Sequence, residues 1–88
     1  MPDRNRAIEL FHPREPGGRE TRKRLGEYGF ACTIVGRGRP LVWVVDFRHA
    51  SRRRDERVLH VPEAVAVEML DKNGYEGLIS VLIQSLGR

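Results

Sequence analysis

Residues 30–47 read Phe30-Ala31-Cys32-Thr33-Ile34-Val35-Gly36-Arg37-Gly38-Arg39-Pro40-Leu41-Val42-Trp43-Val44-Val45-Asp46-Phe47. Phe30, Cys32 and Ile34 alternate with Ala31, Thr33 and Val35. Leu41, Trp43, Val45 and Phe47 alternate with Val42, Val44 and Asp46. A period of two, rich in β-branched and aromatic residues, is the pattern of a pleated strand, and Gly36-Arg37-Gly38-Arg39-Pro40 supplies turn residues between the two runs. The stretch predicts a β-hairpin. Leu41 to Val45 is apolar on both faces, so the second strand is expected at the centre of a sheet, with helices on one side and another layer or subunit near the other.

Beyond the hairpin, Arg48 to Arg57 reads as a polar, Arg-rich connection, and Val58-Leu59-His60-Val61 as a third or fourth short strand. Pro62 suits the first position of a helix and Glu63 its positive end. Val65, Ala66, Met69 and Leu70 form one apolar stripe. Asn73-Gly74 predicts a helix stop, with glycine in the left-handed position. A last helix is expected from about Tyr75 to Leu86, apolar at Leu78, Ile79, Val81, Leu82, Ile83 and Leu86. Its polar strip is only Glu76, Ser80 and Gln84, so it reads as a helix shared with a second copy.

Before the hairpin, Ile8 and Leu10 alternate with Glu9, which predicts a short edge strand over Ala7 to His12 that Pro13 ends. Pro13, Pro16, Gly17 and Gly18 mark Pro13 to Glu20 as a loop. Thr21 to Tyr28 offers Leu25 and Tyr28 as anchors, enough for one helical turn or a ragged extension of the next strand.

The chain has 88 residues, the size of one domain, residues 1–88, with a thin margin of buried surface. A single cysteine excludes an intrachain disulfide, which fits a reducing cytoplasm. No apolar run has the length of a membrane span, and Met1 to Arg6 leads into no signal-type stretch, so no membrane is expected. Of the sixteen Lys and Arg residues, fourteen lie in residues 1–57 against eight acids there, a surplus of six; residues 58–88 carry two bases against four acids. A basic front on an apolar, mildly acidic back suits an anionic partner, nucleic acid or an acidic protein surface. Arginine outnumbers lysine fourteen to two. That ratio suits bidentate phosphate contacts and is also what a GC-rich genome produces, so both readings stand.

Three basic clusters stand out: Arg19, Arg22, Lys23 and Arg24; the hairpin tip Arg37 and Arg39; and Arg48, Arg52, Arg53, Arg54 and Arg57. The hairpin puts its tip and Arg48 onward at opposite ends of the sheet. Arg52, Arg53, Arg54 and Arg57 form the densest group, able to neutralise phosphates or to sit as a solvated loop with Asp55 and Glu56. Asp46, His49 and His60 make the single enzyme-like grouping, a metal site or acid/base pair of a small nuclease; the alternative is Asp46 paired with an arginine. No metal or cofactor is expected: His12, His49, His60 and Cys32 lack ligand spacing, and Cys32 reads as a small core residue.

Arg57-Val58-Leu59-His60-Val61-Pro62-Glu63, a helix, Asn73-Gly74-Tyr75, and a second helix with Leu78-Ile79 and Leu82-Ile83 together resemble the ribbon-helix-helix DNA-binding proteins over the last third of the chain. The resemblance implies an obligate dimer whose paired strands enter the major groove and whose second helices interlock. The family's base-reading positions fall on His60 and Val58, where polar or basic residues are the rule. Its anion-binding helix start falls near Glu76 and Gly77, where Glu76 has the opposite sign.

The expected fold is α+β: an antiparallel sheet of three to four strands including the 30–47 hairpin, with two C-terminal helices packed on one face. The expected function is a small non-enzymatic nucleic-acid-binding regulator, a homodimer through the C-terminal helix. It would contact DNA or RNA through Arg52, Arg53, Arg54 and Arg57, with Arg37 and Arg39 or the Arg19 to Arg24 segment as a second contact. The competing class is a protein-interaction module, such as an inhibitor or accessory subunit from a mobile element, whose arginines meet an acidic protein surface; a metal-dependent nuclease comes third.

Overall fold

The computed structural model describes residues 6–50 and 58–86. Its elements run α1 (Arg6–Phe11), α2 (Pro16–Gly26), β1 (Phe30–Arg37), β2 (Val42–His49), β3 (Leu59–Pro62) and α3 (Glu63–Leu86). The fold is α+β, and the three strands form one antiparallel sheet in the order β1-β2-β3. The hairpin and the third strand form where the alternation places them to within two residues, with β2 central: β1 runs on through Gly36 and Arg37, read as turn, β2 starts at Val42 rather than Leu41, and β3 lies one residue later than Val58 to Val61. Cys32 faces Phe47 and Ile34 faces Val45 across β1 and β2, while Leu59 faces Phe47 and Val61 faces Val45 across β2 and β3. These side chains share one face of the sheet, and the buried residues of the three helices meet them there.

Where a strand is expected over Ala7 to His12, the structure has the helix Arg6–Phe11, with His12 just beyond it. Ala7 and Phe11 are both buried, and a spacing of four residues brings them to one side of a helix. The ring of Phe11 packs edge-on to Phe47, with centroids 6.0 Å apart. So short a helix has little stability of its own and depends on what it docks against.

What it docks against is α2, in the stretch whose prolines and glycines suggested a loop. Pro16 occupies the first turn, where its missing N–H costs nothing. Gly17 and Gly18 are surfaces of close approach: a Cβ on Gly18 would overlap the His12 carbonyl oxygen, and one on Gly17 would lie 2.5 Å from that of Glu9. Gly18, Thr21 and Leu25 form the buried side of α2. Thr21 donates its hydroxyl to the Gly17 carbonyl at 2.9 Å, which satisfies a polar group that is fully buried. Tyr28, read as an anchor, is instead 53% exposed.

Pro62 is the last residue of β3, and the helix begins at Glu63 rather than at the proline. The helical element α3 is continuous from Glu63 to Leu86 except at Gly74, which has φ 69 and ψ −173, a positive φ that glycine tolerates where the Asn73-Gly74 pair predicts a stop. Ala66 and Leu70 are buried before the break, and Leu78, Ile79 and Leu82 after it; Val65 lies 47% exposed. With α1 and α2 supplying cover, the chain itself buries the centre of its most apolar helix, leaving Val81 and Ile83 exposed.

Candidate functional site

The sheet face opposite the helices carries Thr33, Val35 and Arg37 of β1, Val42, Val44, Asp46 and Arg48 of β2, and His60 of β3, as the register dictates. No described helix covers it. Asp46 is nonetheless 4% exposed, because the side chains of Arg37 and His60 close over its carboxylate. His60, its partner in the β2–β3 register, places Nδ1 2.7 Å from Oδ1, and Arg37 donates from Nη2 to Oδ2 at 3.2 Å.

The pairing of Asp46 with an arginine is thus the arrangement found, with His60 added to it. His49 is not part of it. Three residues along a strand reverses the face, so His49 lies on the helix side, edge-on to the Phe30 ring at 4.7 Å, with Nε2 3.0 Å from the Tyr28 carbonyl oxygen. Among the described residues, no group of three or more His, Cys, Asp or Glu side chains could hold a metal ion. Cys32 lies 1% exposed in the core, and burial pushes its thiol up to about 11 against the pull of Arg22, so it is a packing residue and not a thiolate nucleophile.

The basic residues divide by their place in the fold. At the hairpin tip, Arg37 is half-exposed and turned back onto Asp46, while Arg39 is exposed. On α2, Arg24 pairs with Glu20 at 2.8 Å and lies over the Tyr75 ring, 5.5 Å from its centroid, which ties α2 to α3. Arg19, Arg22 and Lys23, spaced i, i+3 and i+4, line an open groove of about 430 Å³ with Phe30, Ala31 and Cys32 as its other wall. Among the described residues no acid lines this groove. Arg22 donates to the Cys32 carbonyl and Arg19 to that of Arg14.

The groove lies at the start of β1, which the hairpin register pairs with the end of β2: Ala31 of the groove faces Arg48 across the sheet. Ala50 donates its N–H to the Gly29 carbonyl at 2.8 Å, so the chain enters residues 51–57 beside the turn that joins α2 to β1. The sequence leaves open whether Arg37 and Arg39 or the Arg19 to Arg24 segment is the second contact. The structure sets the α2 cluster at the same end of the sheet as Arg48, which points from the opposite face, and the hairpin tip with Arg37 and Arg39 at the other end. Arg52, Arg53, Arg54 and Arg57 lie outside the described residues. The signal that could have joined the two clusters is the i, i+3, i+4 spacing on α2, hidden because Gly17, Gly18 and Gly26 argued against a helix.

No helix among the described residues is long and apolar enough to cross a membrane. Comparison of the chain with protein families, with curated proteins and with solved structures finds no match.

Proposed function

We propose that this chain is a small non-enzymatic regulator that binds nucleic acid at the end of the sheet where β1 begins. One observation carries the reading: Arg19, Arg22 and Lys23 line a groove with no acid among its described lining residues, at the same end of the sheet as Arg48, and the sequence continues from there into Arg52, Arg53, Arg54 and Arg57. Side chains so placed neutralise phosphates, which supplies affinity and orientation without reading base sequence. Arg39 at the opposite tip is too far along the hairpin to share that footprint, and Arg37 serves Asp46.

The homodimer expected through the C-terminal helix belongs to the same proposal. What remains exposed there is Val81 and Ile83, which two positions apart on a helix flank the buried stripe of Leu78, Ile79 and Leu82 on opposite sides, so a second copy would meet one of them and not a continuous apolar face. Chromatography with light scattering checks it.

The test of nucleic-acid binding is a salt titration with single-stranded and duplex probes. Affinity falls steeply from low to physiological salt, and replacing Arg52, Arg53 and Arg54 together by alanine flattens the dependence by about 0.7 to 0.9 in log–log slope for each phosphate no longer neutralised. Binding unchanged by that replacement overturns the assignment.

A further inference from the structure

β1 is an edge strand, and its outer edge is the feature of the basic groove that a nucleic acid does not explain. The Gly29 carbonyl accepts from Ala50 on the β2 side, so in an antiparallel pair the odd-numbered residues Ala31, Thr33, Val35 and Arg37 turn their N–H and C=O groups toward β2. Phe30, Cys32, Ile34 and Gly36 turn theirs outward. The Cys32 carbonyl confirms the direction, since it is the one that Arg22 reaches from α2. This edge offers alternating donors and acceptors. A phosphate chain presents acceptors to it and leaves the carbonyls facing negative charge, whereas a peptide strand matches both.

We propose that the outer edge of β1 takes an extended acidic peptide segment of a partner protein as an added strand. Side chains of such a strand alternate between the two faces of the sheet. Those on the helix side meet the wall formed by Arg19, Arg22 and Lys23, so acids at every second position find cations there, while the other positions lie over the open face beside Thr33 and Val35. Arg22 now caps one edge carbonyl. The incoming strand supplies an N–H in its place and frees the guanidinium for a carboxylate. A second copy of this chain is the wrong occupant: its β1, Phe30–Arg37, carries no acid and brings nothing to pair with Arg19, Arg22 and Lys23. The inference goes beyond nucleic-acid binding, and because Arg19, Arg22 and Lys23 serve both ligands, peptide and nucleic acid compete.

The probe is an acetylated, amidated peptide of alternating glutamate and valine, followed by fluorescence anisotropy and by amide hydrogen exchange of the whole chain. Two versions N-methylated at every second residue, one in each phase, separate strand pairing from charge: the phase that blocks the amides facing β1 loses at least tenfold in affinity, and the other phase retains it. Arg19→Glu with Lys23→Glu, both exposed positions, also loses at least tenfold. Exchange at the Ile34 amide slows on adding the peptide. Equal binding of both methylated phases overturns the proposal, as does binding indifferent to the charge reversal. An equal slowing at Ile34 by a single-stranded oligonucleotide overturns it in favour of a general polyanion groove. Slowing that rises with protein concentration alone overturns it in favour of a second copy. Failure of the Arg52, Arg53, Arg54 salt test leaves these readouts intact, so the two ideas fail separately.

Discussion

His60 and Asp46 face each other across the β2–β3 register, with Nδ1 of the imidazole 2.7 Å from Oδ1 of a carboxylate that is 4% exposed. Arg37 holds the other oxygen from β1, so one buried acid joins all three strands on the side of the sheet that no described helix covers. Both partners are about half-exposed, and water can serve them if Asp46 is removed. The carboxylate owes its burial to those same two side chains, so the network depends on both of them.

Replacing Arg37 and His60 together by alanine removes the two side chains that cover Asp46 and lets water reach its carboxylate, so the loss in urea unfolding is expected to be about 1–2 kcal/mol, the cost of the two polar contacts and not of a stranded buried charge. Adding Asp46→Val to that double variant places an apolar side chain beside Val44 and opposite Thr33 and should recover most of the loss. Failure to recover would mean that the cost came from the packing of the Arg37 stem, not from the charge.

Glycines 18 and 26 of α2 give opposite expectations. A methyl at Gly18 overlaps the His12 carbonyl oxygen, so Gly18→Ala must push α1 away from α2 and destabilise the fold by about 3 kcal/mol or more. A methyl at Gly26 meets nothing within 4 Å, and Gly26→Ala should be neutral or stabilise by up to about 1 kcal/mol. Thermal melts of the two variants side by side check the pair.

The Cys32 thiol is raised from 9.0 in the free side chain to about 11 by burial. A proton held more tightly in the folded chain stabilises it fully below the unfolded value, and this contribution is lost as pH rises through the folded one. Stability should therefore fall between about pH 9 and pH 11, by up to about 2–3 kcal/mol from this group. Cys32→Ala should lose that part of the slope while keeping the part due to Lys and Tyr, as denaturant midpoints measured across that range would reveal.

How far the sequence disclosed this architecture depends on whether one chain segment carried a single period. Phe30 to Phe47 did, and its alternation matches the register pair by pair. The Asn73-Gly74 break was legible for a similar reason, since a positive φ leaves few residue choices. The N-terminal region misled because six residues with Ile8 and Leu10 satisfy alternation by chance, while the Ala7 and Phe11 pair that matters is four apart. Gly17 and Gly18 misled more deeply. Their common meaning is a turn, and their use here is to let two helix backbones touch, a tertiary fact that local pattern does not carry. The same error hid the site, because Arg19, Arg22 and Lys23 form one face only once residues 16–26 are helical. Asp46 ending an apolar run was visible, but that its partners are Arg37 and His60 rather than His49 followed only from the register.

The central claim is that the anion-binding surface lies where α2 meets the start of β1, and not at the hairpin tip. The measurement is the salt dependence of binding to a single-stranded oligonucleotide for the Arg19→Ala/Lys23→Ala chain beside the Arg39→Ala chain. With two phosphates left unneutralised, the log–log slope should drop by about 1.4 in the first, with the second indistinguishable from the unaltered protein. A slope unchanged in the first, or lowered equally in both, would contradict the claim.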